Sequence, residues 1–145
     1  MCCNDEDCNV TQYIQGAAPT TYGQKSTACL DSCCYDLKRL FYALAEDGWN
    51  ISVFCGHRGE VAQTKAYNDG ASGAEWGESE HNEFPSKAID AGPYIPGVGI
   101  PWEDENCWIV YAGAVFKKAQ EMGIKLKWGG LFQGLKDLNH IEVAE

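Results

Sequence analysis

Two histidines and two aspartates in this chain stand where loops meet predicted strands. His81 and Asp90 lie nine positions apart in the stretch SEHNEFPSKAID, and His140 follows Asp137 in KDLNHIEV. Two imidazoles and one carboxylate form a ligand set that suits Zn²⁺, with one coordination position left for water. Asp137 would then be the carboxylate that takes a proton from that water. Spacing alone leaves open the alternative that these are ordinary polar residues of loops and strand edges.

Eight cysteines are many for a chain of 145 residues, and six of them fall within the first 34. The even count is compatible with disulfides, although no secretory signal opens the sequence. None of the spacings is C-x-x-C, which disfavours a zinc knuckle. We therefore expect mainly structural or free thiols, with disulfides and a second metal site as the alternatives. Cys55 and Cys107 lie in apolar surroundings, which is typical of buried structural thiols.

The composition narrows the class of protein and its partners. The chain is 45% hydrophobic and carries 21 acidic against 11 basic residues, for a net charge of −10. This balance predicts a soluble globular protein that does not bind nucleic acid, because phosphate binding needs clustered Lys and Arg. The apolar runs are too short to span a bilayer. We expect a protein made in the cytoplasm without a signal peptide and without membrane insertion.

Hydrophobic periodicity predicts the elements that must position these residues. Helices are expected over 31–46, 59–68 and about 105–122, and strands over 51–55, 87–91, 124–128 and 139–144. Residues 1–28 are polar and aperiodic, and they predict a loosely held, cysteine-rich arm before a single domain over 29–145. The predicted class is α+β, with helices flanking a small, largely antiparallel sheet.

Several sequence blocks, taken in order, resemble one known family. The pattern S-x-H-N…P-S-x-A-x-D…P-Y is followed by W-G-G and by D-L-x-H-x-E, and upstream VFCGHRGEVAQ carries G-x-R-x-x-x-x-Q. Together these blocks resemble the phage-type L-alanyl-D-glutamate peptidases over roughly residues 30–144. That family belongs to the zinc peptidase group of the VanY-like D-Ala-D-Ala carboxypeptidases and the hedgehog-type fold. The resemblance implies that fold for this chain.

The resemblance also implies a role for each matching residue. His81, Asp90 and His140 would ligate zinc, and Asp137 would be the catalytic base. Arg58 would stabilise the oxyanion that forms when water attacks the amide carbon.

Three further residues are expected at the substrate side of the site. Gln63 and Ser79 would contribute to substrate binding or orient the site, and Trp128 would line a saccharide or peptide groove. His57 is expected not to ligate the metal. The segment LFQGLKDLNH is shorter than the family's loop, which would leave the cleft wider or alter substrate choice, and Asn139 stands where the family has proline.

We therefore expect a monomeric zinc metallopeptidase of the endolysin type that hydrolyses an amide bond in the stem peptide of bacterial peptidoglycan. The bond would be L-Ala–D-Glu, and the enzyme would reach the wall after the membrane has been permeabilised. The alternatives are a D-Ala-D-Ala carboxypeptidase, a peptidase of free peptides and a zinc-structured module that binds peptidoglycan or protein without cleaving. Asp137 and Arg58 favour an enzyme, because a binding module needs neither a base nor an oxyanion donor.

Overall fold

Four strands form one antiparallel sheet in the order β1–β2–β4–β3. The structure is a computed structural model and describes residues 14–131 and 136–145. The strands are β1 (Ile51–Cys55), β2 (Ala88–Pro93), β3 (Leu126–Trp128) and β4 (His140–Val143). β4 is inserted between β2 and β3, although it follows both in sequence. The prediction of a small antiparallel sheet is confirmed.

The two faces of the sheet differ because side chains alternate along each strand. Val53, Ile89, Ala91 and Ile141 are buried on the face that meets the helices. The helices are α1 (Gln24–Asp31), α2 (Tyr35–Glu46), α3 (Glu60–Asn68) and α4 (Glu105–Glu121), of which α1 packs on β1 and α4 packs on β2 and β3. The α+β prediction, with helices flanking the sheet, is confirmed.

Helix α2 carries the apolar stripe that the sequence predicts. Leu37, Leu40, Phe41 and Leu44 are all buried, as their helical spacing requires. The predicted start of this helix was wrong, because residues 24–46 form two helices instead of one from residue 31. Ser32 lies at the break, where its hydroxyl accepts from the His57 amide at 2.8 Å and donates to the Cys29 carbonyl at 2.6 Å.

The described part of the N-terminal arm is packed against the core, contrary to the loose attachment that its composition predicts. Ile14 is fully buried. The Thr20 hydroxyl donates to the Trp49 carbonyl at 2.8 Å, and the Tyr22 hydroxyl donates to the Phe41 carbonyl at 2.6 Å. A few apolar and hydroxyl side chains therefore anchor an otherwise polar segment. Cys2, Cys3 and Cys8 lie outside the described residues.

The remaining helices and Cys107 agree with the sequence-based prediction. α3 and α4 lie within a residue of their predicted bounds, and the Asp104 carboxylate caps α4 by accepting from the Cys107 amide at 3.2 Å. Within the described ranges, no helix combines the length and apolar character needed to cross a membrane. The cysteines there are free thiols, and Cys107 is buried as predicted. These free thiols are Cys29, Cys33, Cys34, Cys55 and Cys107.

Candidate metal centre

Strand register places three polar side chains in one row across the sheet. Asp90 on β2 is paired with Cys55 on β1 and with His140 on β4. Directly opposed residues of antiparallel strands point to the same face, with their Cβ atoms about 4.5–5.5 Å apart. The row lies on the face opposite Ile89 and Ile141, which the helices cover. A carboxylate and an imidazole from distant parts of the sequence therefore meet.

A short 3₁₀ turn, Glu80–Asn82, brings His81 to the same row. The Ser79 hydroxyl accepts from the His81 amide at 3.2 Å, and the Asn82 carboxamide accepts from the Ser79 amide at 3.2 Å. The His81 ring is buried, and its Nδ1 donates to the Gly56 carbonyl at 2.7 Å. A carbonyl only accepts, so the proton lies on Nδ1. The other nitrogen, Nε2, is 3.2 Å from Asp90 Oδ1.

His140 faces the same carboxylate with its Nδ1, whereas His81 faces it with Nε2. Its Nε2 lies 3.0 Å from Glu142 Oε1, and its Nδ1 is 3.3 Å from Asp90 Oδ1. The two imidazole rings are edge to face, with centroids 5.1 Å apart. A single carboxylate oxygen is therefore shared by two imidazole nitrogens.

Two of the three separations among these atoms fit the ligand sphere of a zinc ion. Bonds of about 2.0–2.1 Å at tetrahedral angles place neighbouring ligand atoms about 3.3 Å apart. The two separations from Asp90 Oδ1, 3.2 and 3.3 Å, agree with this value. The other nitrogen of each ring faces an oxygen acceptor, as is usual for metal-bound histidines: His81 Nδ1 faces the Gly56 carbonyl, and His140 Nε2 faces Glu142.

Hydrogen bonding within the cluster favours positive charge on the two imidazoles and negative charge on the carboxylate. Burial alone would raise the pKa of Asp90, but its hydrogen bonds to His140 and His81 hold that pKa well below the usual range. Burial would lower the pKa of His81, but Asp90 overrides it and raises this pKa to about 10. Asp90 likewise raises the pKa of His140 against the effect of burial. A metal cation would replace the protons that the cluster attracts.

Asp137 lies at the exposed side of this cluster. Ligand atoms of Asp90, Asp137 and His140 all lie within 4.8 Å of one another. The Asp137 backbone packs on Gly129, whose own carbonyl accepts from the Asp137 amide at 3.0 Å. Partial burial and the nearby Asp90 charge raise the pKa of the Asp137 carboxyl. A carboxylate with a raised pKa is a better proton acceptor near neutral pH.

Arg58 reaches the cluster from the loop after β1. Its Nη2 is 3.5 Å from Asp90 Oδ2, and its Nη1 donates to Gln63 Oε1 at 3.0 Å. Its backbone amide donates to the His81 carbonyl at 2.7 Å, which ties the arginine segment to the histidine turn. The guanidinium is therefore fixed beside the carboxylate that links both histidines.

The three residues expected at the substrate side make internal contacts. Gln63 is fully buried, and its amide donates to Ser72 Oγ and to the Ala74 carbonyl at 3.0 and 2.7 Å. The Ser79 hydroxyl caps the histidine turn, and the Trp128 indole donates to the Leu138 carbonyl at 2.8 Å. Gln63 and Ser79 are thus placed to orient Arg58 and His81, while the half-buried Trp128 ring stands beside the Gly129–Gly130 turn.

Several neighbours of the site carry no role in the sequence-based prediction. Cys55 is not in the apolar setting that its neighbours suggest, because its Sγ lies 3.8 Å from His81 Nδ1 and 3.6 Å from Arg58 Nη2. Burial would raise the pKa of this thiol, but His81 and Arg58 lower it. Asn82 donates to Gln63 Oε1 at 3.1 Å. Glu142, which contacts His140, could have been found from the H-x-E spacing of these two residues, because residues two apart on a strand share a face.

His57 was expected not to ligate the metal, and it lies apart from the proposed ligands. Its Nδ1 is 3.0 Å from the Glu83 carbonyl.

One sheet face of this α+β domain gathers two imidazoles, two carboxylates and an arginine, which are groups that a hydrolytic enzyme uses to move protons and stabilise developing charge. The chain belongs to the family described as phage L-alanyl-D-glutamate peptidase, whose model matches residues 20–143. Among solved structures it is similar to the L-Ala D-Glu endopeptidase ChiX of Serratia marcescens. The two share 26% identity over 94% of each chain, with a TM-score of 0.71. No curated protein sequence matches significantly.

Family membership and this similarity confirm the predicted class of protein. The chain is an enzyme, a peptidase that acts on bacterial peptidoglycan. Residues 132–135 lie outside the described residues, so the expected effect of the shortened loop before Asp137 stays a prediction.

Proposed function

We propose that this peptidase is a zinc-dependent endopeptidase that hydrolyses the L-Ala–D-Glu bond of the peptidoglycan stem peptide. The observation that carries the proposal is the carboxylate oxygen of Asp90, which lies 3.2 Å from His81 Nε2 and 3.3 Å from His140 Nδ1. Both nitrogens face the carboxylate because the other side of each ring is held by an oxygen acceptor. His81, Asp90 and His140 would therefore hold the ion.

When bound, a zinc ion there would supply a Lewis acid that polarises the scissile carbonyl and makes water a stronger nucleophile. The chain itself provides the groups that move protons and bind developing charge. Asp137 is exposed on the open side of the cluster, near Asp90 and His140. It accepts a proton from the attacking water and returns that proton to the nitrogen of the leaving amine. The amide C–N bond breaks, and a carboxylate and an amine are released.

Arg58 provides the second electrostatic contribution. Its guanidinium is fixed by Gln63 and lies beside Asp90, so it donates to the oxygen of the tetrahedral intermediate without first having to be ordered. Its donors form a planar fork that a lysine cannot reproduce.

The bond cleaved is tested by digestion of purified cell walls followed by mass analysis of the released peptides. We expect new L-Ala carboxyl ends and new D-Glu amino ends, and we expect a chelator to abolish their release until zinc is added back. Release of terminal D-Ala would identify a carboxypeptidase, and cleavage of free peptides alone would identify a general peptidase. Binding to walls without cleavage would identify a binding module, and cleavage that survives metal removal would refute the zinc site.

The base is tested by Asp137→Asn. This change keeps the size of the side chain but removes its ability to accept a proton, so we expect kcat to fall by about 10²–10⁴-fold. Metal content is expected to stay at the wild-type level, because Asp137 is not in the proposed ligand set. Asp69→Asn is the matched control, since Asp69 pairs with Lys65 on exposed helix α3. Full activity of Asp137→Asn would exclude this carboxyl as the base.

A further inference from the structure

The imidazole of His140 is held from behind by the carboxylate of Glu142. We propose that Glu142 is a positioning residue that sets the orientation and basicity of His140 as a metal ligand. The inference rests on the proposed function, because it concerns the same metal centre. It begins from the 3.0 Å contact between His140 Nε2 and Glu142 Oε1, which leaves Nδ1 of the same ring 3.3 Å from Asp90 Oδ1.

The sheet holds the pair in place. His140 and Glu142 are separated by the buried Ile141 on β4, so their side chains project to the same face of the sheet. β4 is paired on both sides, with Glu142 opposite Ala88 on β2 and opposite Lys127 on β3. The backbone that carries the carboxylate is therefore fixed relative to the ring.

The chemistry of the contact selects one form of the imidazole. Glu142 as a carboxylate offers only acceptors, so the ring proton facing it lies on Nε2. Nδ1 then presents its lone pair towards Asp90. The negative charge behind the ring also makes Nδ1 a stronger donor to a cation, as in other carboxylate–histidine–metal arrangements.

The two histidines of the site are held by different kinds of acceptor. A backbone carbonyl, that of Gly56, holds His81, and no substitution of a side chain removes it. A side-chain carboxylate holds His140, so this contact can be removed and measured. The pair is also shielded from water, with side chains 12% and 19% exposed, whereas Lys65 and Asp69 in a surface pair are 76% and 54% exposed. A shielded charged hydrogen bond has a larger effect than a surface ion pair.

The test is the zinc affinity of Glu142→Ala and Glu142→Gln, measured by competition with a chromogenic chelator at one fixed pH. We expect Glu142→Ala to bind zinc about 10–100-fold more weakly than wild type. Glu142→Gln keeps an acceptor oxygen for Nε2 but loses the charge, so its affinity is expected to lie between the two. Thermal melting without zinc checks that the variants fold. If Glu142→Ala does not fold, the zinc affinity of the near-isosteric Glu142→Gln tests whether the carboxylate affects metal binding.

Glu80→Gln is the matched control, because Glu80 carries the same charge and adjoins the other histidine ligand in sequence. We expect its zinc affinity to stay within about twofold of wild type, since solvent and salt screen a side-chain charge that does not hold a ligand ring. An affinity of Glu142→Ala equal to wild type would overturn the inference. An equal loss in Glu80→Gln would also overturn it, because general charge would then explain the effect.

The same titration separates this inference from the proposed function. If wild type and His140→Ala bind zinc equally, or neither binds it, the metal centre itself is refuted. If wild type binds zinc, His140→Ala does not and Glu142→Ala binds as wild type does, only the role of Glu142 is refuted.

Discussion

The guanidinium of Arg58 is fixed at three points around its two terminal nitrogens. Nη1 donates to Gln63 Oε1 at 3.0 Å, while Nη2 lies 3.5 Å from Asp90 Oδ2 and 3.6 Å from Cys55 Sγ. Gln63 in turn is fully buried and held by Asn82. This network orders the arginine in the free protein, so its donors are in place before substrate arrives.

We expect Arg58→Lys to lower kcat by about 10²–10³-fold, because an ammonium lacks the planar fork by which one nitrogen binds Gln63 while the other faces a developing oxyanion. Steady-state hydrolysis of a stem-peptide substrate measures the change. Arg39→Lys is the matched control, since Arg39 pairs with Asp36 on α2 and with the Met122 carbonyl. A kcat for Arg58→Lys within about twofold of wild type would contradict the role assigned to the guanidinium.

At the level of single residues, the sequence predicts which charged side chains gather at the cluster better than it predicts the contacts that orient them. His81, Asp90, Asp137 and His140 were singled out by residue type and by a family resemblance, and the structure brings them together. The contacts of Cys55 were not predictable, because its apolar sequence neighbours say nothing about a histidine 26 positions away. Such contacts depend on strand register, which no local pattern specifies.

Gly129, in the turn after β3, leaves room for the backbone of Asp137 because it has no side chain. A Cβ atom on Gly129 would lie 2.1 Å from the Asp137 carbonyl oxygen and 2.9 Å from its Cβ. Both contacts are well inside van der Waals distance. The W-G-G sequence therefore allows the backbone of residue 137 to approach β3, which places its carboxylate near Asp90 and His140.

We expect Gly129→Ala to destabilise the fold by about 1–3 kcal/mol and to lower kcat, because the added methyl group displaces Asp137. Urea unfolding and steady-state kinetics measure the two effects. Gly113→Ala is the control, since a Cβ there meets open space on helix α4. This control is expected to gain about 0.5–1 kcal/mol and to keep its activity. Wild-type activity in Gly129→Ala would show that the close approach is not required.

At the level of elements, periodicity predicted α2, α3 and α4, but it did not predict the break between α1 and α2. The sequence DSCC contains no Gly or Pro that would end a helix. The chain turns there because the Ser32 hydroxyl binds the Cys29 carbonyl and the His57 amide, the latter 25 residues away. A helix end that depends on so distant a partner leaves no signal in the local sequence.

Metal binding and protonation compete for His81, and this competition changes the stability of the whole molecule. In the metal-free fold, Asp90 raises the pKa of His81 to about 10, above its value of about 6.5 in an unfolded chain. A raised pKa contributes stability that is fully present below about pH 6.5 and is lost as the pH rises towards 10. A bound cation replaces this proton, so metal affinity increases over the same range of pH.

We therefore expect zinc to raise the melting temperature more at about pH 8.5 than at about pH 6.5, at equal free zinc. Each proton displaced changes the binding free energy by about 1.4 kcal/mol per pH unit. Scanning calorimetry with buffered zinc measures the difference. His57→Gln should leave it unchanged, because His57 lies apart from the ligands. An equal rise in melting temperature at both pH values would contradict the assignment of His81 as a ligand.

The position of β4 has a consequence for the newly made protein. This strand carries His140 and is later in sequence than β1, β2 and β3, yet it fills the gap between β2 and β3. While the ribosome is still adding residues before 140, β3 has no strand to pair with and Asp90 has a neighbour on one side only. Synthesis at about 5–20 residues per second takes about 1–3 seconds to pass from the start of β3 to His140. On the proposed function, a nascent chain therefore has an incomplete metal site, and the site is completed only when β4 enters the sheet.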